Sequence, residues 1–337
     1  MEFSHSYTSI DAHTAGEPLR IITSGVPFIP GDTILAKRQW VQENLDHVRR
    51  ALMHEPRGHA DMYGCYITPA VSAQADFGVI FMHNEGYSSM CGHGIIAVAS
   101  VAVATGMVPA QQPETRVGID SPAGFIEAFV AWDGRKVGAV RFVNVPSFLY
   151  ATDVSVPTPS FGTLQVDIAF GGAFYAYLEA SQAQLSVTPA HYRALIALGD
   201  EVKQALTQQR SIVHPQEPQL QGLYGTIIDD GVLEQNGQLQ QRNVCIFADR
   251  EVDRSPTGTG TAGRMAQLYA RGKLRPGQSF HNASIIGSSF EGQVLGETKV
   301  GDFAAIIPEV SGSAYITGYN HWLIDPDDPL GQGFFLR

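Results

Sequence analysis

The chain has 337 residues, a hydrophobic fraction of 44% and a formal net charge of −11 at pH 7. This length is too great for one ordinary core and favours two domains, and the acidic balance gives no basic surface for nucleic acid or an anionic membrane. The N-terminal residues show no basic start followed by an apolar block, so we expect no signal peptide and a cytoplasmic protein.

Short strand-like segments precede one apolar helix in each half of the chain. The strand candidates, in chain order, are PLRIIT, DFGVIFM, GFIEAFVAW, AVRFVNV, FYAYLEA, GTIIDDGVL, NVCIFA and FAAIIPEV. Amphipathic helices are predicted at about 37–52 and 189–208, and the Gln/Pro-rich segment 209–222 is predicted to be a loop. The run IIAVASVAVA is apolar nearly all round, which predicts a helix buried on every side by a surrounding sheet.

The three cysteines differ in their surroundings. Their odd number and the lack of a C-x-x-C pair argue against a disulfide framework and against a zinc site. Cys65 and Cys245 lie in apolar strand-like stretches, where a cysteine is an ordinary small buried residue. Cys91 instead stands in SMCGHG, directly before the apolar helix. It is therefore the cysteine for which we expect a chemical role.

The Cys91 segment recurs in the second half of the chain. SMCGHG aligns with SPTGTG, so that Thr257 occupies the place of Cys91. Residues on both sides keep the same spacing from Cys91 and from Thr257: Phe81 corresponds to Phe247, Glu85 to Glu251 and Gly106 to Gly272. Similarity on this scale predicts a duplicated half rather than a short repeat. The predicted domains are 1–134 plus 316–337, with Cys91, and 135–315, with Asp253 and Thr257.

The two predicted helix starts indicate anion binding. Glycines there let the backbone approach a ligand, and the free first-turn N–H groups and the helix dipole favour a carboxylate or phosphate. A thiol in this position has a lowered pKa and acts as a nucleophile or as a proton-abstracting base.

Two other interpretations of these residues are weaker. Gly258-Thr-Gly260-Thr-Ala-Gly263 fits the dinucleotide fingerprint, but the glycines do not directly follow a strand and the acid expected about twenty residues later is absent. A thiol hydrolase would pair Cys91 with a histidine base such as His93, but it would leave the duplicated helix start unexplained.

Several segments resemble the proline racemase family, which includes 4-hydroxyproline epimerase and trans-3-hydroxy-L-proline dehydratase. They are MCGHG, DRSP-x-GTG, DAHTAGEP, EPRGHADMYG, SPAG, NVPSF and DIAFGGAFYA. The resemblance implies an α+β fold of two pseudo-symmetric halves of diaminopimelate epimerase-like type. Each half is then a curled, barrel-like β-sheet around a central helix. The resemblance also implies an active site in the cleft between the halves and no cofactor.

The chain departs from the racemases at Thr257, because in those enzymes both signature segments contain a cysteine. A threonine hydroxyl has no accessible alkoxide near neutral pH, so we expect racemisation to fail. An intact MCGHG with DRSPTGTG resembles the dehydratase branch, which converts trans-3-hydroxy-L-proline to Δ1-pyrroline-2-carboxylate. In this substrate the Cα hydrogen and the 3-hydroxyl share one ring face, so a single base suffices for a syn elimination.

The resemblance and the helix chemistry together suggest a role for each candidate residue. Cys91 is the base. The amides expected to hold the substrate carboxylate are those of Gly92, His93, Gly258 and Thr259. Asp253 and the His93 side chain are the expected partners of the ring nitrogen, with Tyr63 and Phe247 as walls of the ring pocket.

Structural roles remain open for most of these residues. Asp253 could cap the helix start or pair with Arg254, and the His93 side chain could make a structural hydrogen bond. Tyr63 and Phe247 could belong to the core, and Thr257 could fill space or bond the substrate. The expected ligand is a small imino acid, without metal, nucleic acid or membrane, and a homodimer is left open. The alternative functions are a residual proline or 4-hydroxyproline epimerase and a non-catalytic imino-acid-binding protein.

Overall fold

The computed structural model describes residues 3–336. Its α-helices are α1 (Ile34–Asn44), α2 (Asp46–Met53), α3 (Gly92–Ala104), α4 (Tyr192–Gln209) and α5 (Gly258–Ala270). The strands as far as the middle of the chain are β1 (His5–Thr14), β2 (Glu17–Ser24), β3 (Tyr63–Thr68), β4 (Phe77–His83), β5 (Glu114–Ser121), β6 (Gly124–Trp132), β7 (Val137–Val143), β8 (Ser147–Thr158), β9 (Gly162–Phe170) and β10 (Phe174–Glu179). The remaining strands are β11 (Leu223–Asp229), β12 (Leu233–Gln235), β13 (Gln238–Phe247), β14 (Glu251–Asp253), β15 (Ser279–Ser284), β16 (Ser289–Val300), β17 (Phe303–Gly312) and β18 (Ala314–Ile324).

The chain divides into two compact units. The first comprises the residues up to Met90, then Gly94–Val140 and the residues from Ser313 onward. The second comprises Arg141–Gly312 together with Cys91–His93. Cys91 is thus grouped with the second unit, whereas the sequence prediction places it in the first half.

The first unit is built on one continuous strand order. The strands pair in the order β18, β1, β2, β3, β4, β5, β6. The β2–β3 and β4–β5 pairs are parallel, and the other pairs are antiparallel. Mixed pairing of this kind needs crossovers, and α3 lies in the crossover between β4 and β5.

The strands of the second unit close into a barrel. They pair in the order β8, β9, β10, β11, β13, β15, β16, β17, and β17 returns to pair with β8. The β10–β11 and β13–β15 pairs are parallel. Helix α5 lies in the β13-to-β15 crossover and packs against β8, β9, β10, β16 and β17, so it is the central helix of this barrel.

The two units repeat one topological pattern. In each unit, successive strand pairs are antiparallel, parallel, antiparallel and parallel, from β1–β2 to β4–β5 and from β9–β10 to β13–β15. The central helix lies in the connection between the two strands of the last pair. The chain is therefore an α+β protein with two barrel-like curled sheets, as the family resemblance implies, and the duplicated half predicted from the repeat is present.

The central helices also match in their details. α3 and α5 each contain 13 residues and begin at the first glycine of a G-x-G motif. Gly106 and Gly272 follow them with φ values of 75° and 70°, which suit glycine at a helix end. Residues 92–103 of α3 are all buried, so the prediction of a helix buried on every side is confirmed.

The peripheral helices differ in extent from their predictions. The helix predicted at about 37–52 is two helices separated by Leu45, whose φ of −122° and ψ of 13° leave the helical region. The first of them begins earlier because the Thr33 side chain accepts a hydrogen bond from the Ala36 amide. Within residues 3–336 no helix combines the length and the apolar character needed to cross a bilayer.

A partly exposed ion pair joins Arg271, directly after α5, to the buried Asp167 of β9. Arg271 binds both carboxylate oxygens of Asp167, with Nε–Oδ2 and Nη2–Oδ1 distances of 2.7 Å. Burial alone would raise the pKa of Asp167, but hydrogen bonds from Arg271 and Gln267 hold it below the ordinary value of 3.8. The ion pair therefore anchors the end of α5 that lies opposite the predicted helix start at Gly258.

Replacing Arg271 by Met is expected to lower the free energy of unfolding at pH 7 by about 1–2 kcal/mol. This is less than a fully buried pair would contribute, because Arg271 is 35% exposed and solvent weakens its interaction with Asp167. The Asp167 pKa is depressed in the folded protein, so the stabilisation exists above 3.8 and is lost as pH falls through the lower folded value. Urea titrations at pH 7 and at low pH measure this difference. Arg275→Met, at an exposed position nearby, serves as the control, and an equal loss at both pH values would contradict the prediction.

Candidate active site

Cys91 lies immediately before the first residue of α3 and is 5% exposed. Its Sγ is 3.2 Å from Nδ1 and 3.7 Å from Nε2 of His93. The imidazole therefore lies against the sulfur, and one of its nitrogens is at hydrogen-bonding distance. A donor at that distance and the positive end of the helix dipole both favour the thiolate form, which is the form that accepts a proton.

The other two cysteines lie inside strands rather than at a helix start. Cys65 and Cys245 are 0% and 1% exposed and lie within strands β3 and β13. Burial raises the pKa of the Cys65 thiol well above its ordinary value. These positions fit the interpretation of both residues as small buried hydrophobes.

The first turns of α3 and α5 approach each other at two glycines. A methyl group placed on Gly92 would lie 2.5 Å from the Cα of Gly258 and 3.0 Å from the Thr259 nitrogen. A methyl group placed on Gly258 would lie 2.6 Å from the Cα of Gly92. No residue with a side chain fits at either position, because real Cβ atoms do not come within 3.0 Å of such neighbours.

This approach concentrates positive partial charge in one place. The first-turn N–H groups of a helix have no partner inside the helix, and its dipole adds a partial positive charge at that end. The contact of Gly92 with Gly258 brings two such ends close together. Binding of a carboxylate there stays the prediction that the helix chemistry of the sequence makes.

Thr257 occupies the N-cap of α5 in a strained conformation. Its φ of 64° and ψ of 99° lie where β-branched residues are rarely found. Its hydroxyl makes no capping bond and instead donates to Oδ2 of Asp253 over 2.8 Å. Strained backbone that persists in a folded protein is concentrated at functional sites.

Asp253, 5% exposed at the end of β14, accepts hydrogen bonds at both carboxylate oxygens. Oδ1 accepts from the Ser255 amide over 2.7 Å, and Oδ2 accepts from the Thr257 hydroxyl. The Ser255 contact is a local side-chain-to-backbone hydrogen bond, of the kind expected if Asp253 caps the helix start. Each oxygen has a second lone pair, so the carboxylate can still accept from a ligand.

Two tyrosines that the sequence analysis did not single out hold the first turn of α5. The hydroxyl of Tyr175 is 2.7 Å from Oγ1 of Thr259, and the hydroxyl of Tyr177 donates to the Gly260 carbonyl over 2.9 Å. The alternation in FYAYLE places both rings on one face of β10, which is the only signal the sequence offers.

The two aromatic residues predicted to wall the ring pocket are both 3% exposed. Tyr63, in the first unit, hydrogen-bonds Ser88 through its hydroxyl and stacks on His83 at a ring distance of 5.7 Å. Phe247, in the second unit, stacks on Tyr224 at 5.5 Å. Each ring therefore has packing partners in its own unit, and its contact with a ligand stays a prediction.

Three groups of predicted site residues come together in the structure. Cys91 contacts His93, Gly92 contacts Gly258, and Thr257 contacts Asp253. Across residues 3–336 no cluster of three or more His, Cys, Asp or Glu side chains is arranged to hold a metal ion.

The architecture and the site define a class of protein: an α+β protein with a duplicated sheet-and-helix unit and a thiol at one of two matching helix starts. The chain belongs to the proline racemase family, since the family profile described as Proline racemase matches residues 9–335. It is 56% identical to a trans-3-hydroxy-L-proline dehydratase of Burkholderia ambifaria and 55% identical to a 3-hydroxyproline 2-epimerase of Burkholderia multivorans, each over the full length of both chains. A crystal structure of a hydroxyproline epimerase from Agrobacterium vitis with bound trans-4-hydroxy-L-proline matches with a TM-score of 0.92 and 33% identity, covering 100% of this chain and 96% of that one.

Proposed function

We propose that this protein is a hydro-lyase that removes water from trans-3-hydroxy-L-proline and releases Δ1-pyrroline-2-carboxylate. The observation that carries the proposal is the second helix start, where Thr257 stands in place of a thiol and its hydroxyl donates a hydrogen bond to Asp253. Relatives at 55% and 56% identity have names for two different reactions, so identity alone does not choose between them. The chemistry of residue 257 supports dehydration.

Cys91 is the general base in this proposal. Its thiolate takes the Cα proton, and the electron pair left on Cα expels the 3-hydroxyl from the neighbouring carbon. The proton and the hydroxyl leave as water, and the resulting enamine tautomerises to Δ1-pyrroline-2-carboxylate. Because the Cα hydrogen and the 3-hydroxyl share one face of the ring, Cys91 can return its proton to the departing hydroxyl. His93, 3.2 Å from the sulfur, supports the thiolate.

The converging helix starts bind the substrate carboxylate. As Cα loses its proton, negative charge spreads onto the carboxylate oxygens, and fixed N–H groups aimed at them stabilise that charge. The amides proposed for this role belong to Gly92, His93, Gly258 and Thr259. The close contact of Gly92 with Gly258 supports it, since two helix N-termini this near to each other could both donate to one carboxylate.

The ring nitrogen of the substrate is proposed to bind Asp253. A buried carboxylate near a helix start that is otherwise positive is the best available partner for a secondary ammonium. The His93 imidazole, which contacts Cys91, is the second candidate. Tyr63 and Phe247 are the proposed walls of the ring pocket. The homodimer and the cytoplasmic location stay predictions.

A substrate panel tests the proposal. The protein is incubated with trans-3-hydroxy-L-proline, trans-4-hydroxy-L-proline and L-proline, and each reaction is scored for Δ1-pyrroline-2-carboxylate and for inversion at Cα. We expect the ketimine Δ1-pyrroline-2-carboxylate from trans-3-hydroxy-L-proline and no inversion of the other two substrates. Inversion without ketimine would support the epimerase instead, and binding without either product would support a non-catalytic imino-acid-binding protein.

Replacing Asp253 by Asn is expected to weaken handling of the ring ammonium, because a charge-assisted hydrogen bond worth about 1.5–3 kcal/mol is lost. An amide oxygen can still accept from the Ser255 N–H, so the fold should persist. Steady-state kinetics should show a fall in kcat/KM of roughly 10- to 100-fold. The matched control is Asp249→Asn, at an exposed position of the same segment. Unchanged kinetics in the Asp253 variant would assign this residue to the capping role.

A further inference from the structure

The carbonyl oxygen of Pro256, the residue before Thr257, has three side-chain hydrogen-bond donors. Nδ2 of Asn243 lies at 3.1 Å, Nδ2 of Asn282 at 3.3 Å and Oγ1 of Thr261 at 3.3 Å. Asn282 also donates to Oγ1 of Thr261 over 2.8 Å, which ties two of the donors together. Asn243, Asn282 and Thr261 are each 0% exposed, so the group forms a buried polar cluster.

The three donors come from different parts of the second unit. Asn243 lies on β13, Asn282 lies on β15, and Thr261 lies in α5 itself. The strands β13 and β15 pair directly in the barrel wall. The Pro256 carbonyl is therefore fastened to the rigid barrel as well as to the helix that follows it.

The same peptide group is also held at its other end. The Thr257 N–H donates to Oγ of Ser255 over 3.1 Å. In the next peptide group, the Thr257 carbonyl accepts from the Thr261 amide over 2.7 Å. With both the C=O and the N–H of the Pro256–Thr257 peptide bonded, the peptide plane cannot rotate without breaking buried hydrogen bonds. The φ of 64° at Thr257 is thus imposed by its surroundings.

We infer that Asn243, Asn282 and Thr261 are positioning residues for the reaction, because they hold the Pro256 carbonyl and thereby fix Thr257 and the first turn of α5. This inference rests on the proposed function, in which the α5 amides hold the substrate carboxylate. If the peptide plane relaxes, the amides of Gly258 and Thr259 turn with it and no longer point at one spot. Preorganised donors lose most of their effect on a developing charge when their geometry is disturbed.

A pair of substitutions at one position tests the inference with little change in volume. Thr261→Val removes the hydroxyl and keeps the shape, whereas Thr261→Ser keeps the hydroxyl. Asn243→Ala removes a second donor independently and serves if the valine variant does not fold. The matched control is Thr226→Val, because Thr226 is also 0% exposed in the second unit and its hydroxyl donates to the Gly199 carbonyl over 2.8 Å.

Three measurements are made on each variant: the thermal midpoint, kcat and KM for trans-3-hydroxy-L-proline, and the Kd of pyrrole-2-carboxylate. The last compound is a planar mimic of the deprotonated carbon, and its binding does not depend on turnover. We expect Thr261→Val and Asn243→Ala to lower kcat and to raise the Kd by about tenfold each. Thr261→Ser should resemble the unmodified protein. Thr226→Val should lose thermal stability without losing binding or kcat.

The outcomes separate this inference from the proposed function. If Thr261→Val folds and matches Thr261→Ser in kcat and Kd, the positioning role is wrong even though the dehydratase is right. If the unmodified protein binds pyrrole-2-carboxylate without dehydrating the substrate, the proposed function fails and the Kd series still tests the positioning role. If the unmodified protein neither binds pyrrole-2-carboxylate nor dehydrates the substrate, both are contradicted.

Discussion

We expect Cys91→Ser to abolish dehydration of trans-3-hydroxy-L-proline and to leave the fold intact. A serine hydroxyl does not ionise near neutral pH, so it cannot take the Cα proton, and the loss of a general base costs about 10²- to 10⁴-fold in rate. Serine is also a favourable residue directly before a helix, so the start of α3 should tolerate it. Turnover and thermal unfolding measured on the same sample check both parts of the prediction.

The control for this variant uses a cysteine outside the site. Cys65→Ala, at a fully buried position of β3, should lose stability and keep its activity once folded. Iodoacetamide should inactivate the unmodified protein through Cys91, and pyrrole-2-carboxylate should protect it. Turnover by Cys91→Ser above about a tenth of the unmodified rate would show that another group is the base, and alkylation without protection would place the thiol outside the substrate site.

Thr257→Cys is expected to gain measurable inversion of L-proline or trans-4-hydroxy-L-proline. The new thiol would stand at the N-cap of α5, as Cys91 stands before α3, and could deliver a proton to the opposite face of Cα. Oδ2 of Asp253, now bonded to the Thr257 hydroxyl, would face that thiol and favour its protonated form, which is the form an acid needs. Dehydration of the 3-hydroxy substrate should continue through Cys91.

Chiral chromatography of the product measures this gain. Thr257→Ser is the control, because it keeps a hydroxyl at the same place and should invert nothing. We expect weak inversion in the cysteine variant rather than a full racemase, since the surroundings of residue 257 suit a threonine. A cysteine variant that dehydrates normally and inverts neither substrate would show that residue 257 does not face the far side of Cα.

The parts of the fold that the sequence could predict are those defined by local patterns. The apolar run after Cys91 predicts a helix buried on every side, and α3 is such a helix. The shared register around Cys91 and Thr257 predicts a duplication, and α3 and α5 have equal lengths and matching terminal glycines. These features are readable because a helix start, an apolar face and a terminal glycine each depend on neighbouring residues.

Features that depend on distant partners could not be predicted. No pattern in the sequence shows that the Pro256 carbonyl meets Asn243 and Asn282, because strand register brings them together. The positive φ of Thr257 follows from those contacts and is equally invisible, since threonine has no preference for that conformation. The contact of Tyr175 with Thr259 likewise joins residues far apart in the chain.

The central claim is that one base on one face of Cα does the chemistry, and that nothing on the other face can deliver a proton. The most direct test is to incubate the unmodified protein with L-proline in D₂O and to follow the α-hydrogen and the configuration together by NMR and chiral chromatography. We expect deuterium exchange with retention at most, because Cys91 can return a deuteron only to the face from which it took the proton. Inversion at a rate comparable to the dehydration of trans-3-hydroxy-L-proline would contradict it.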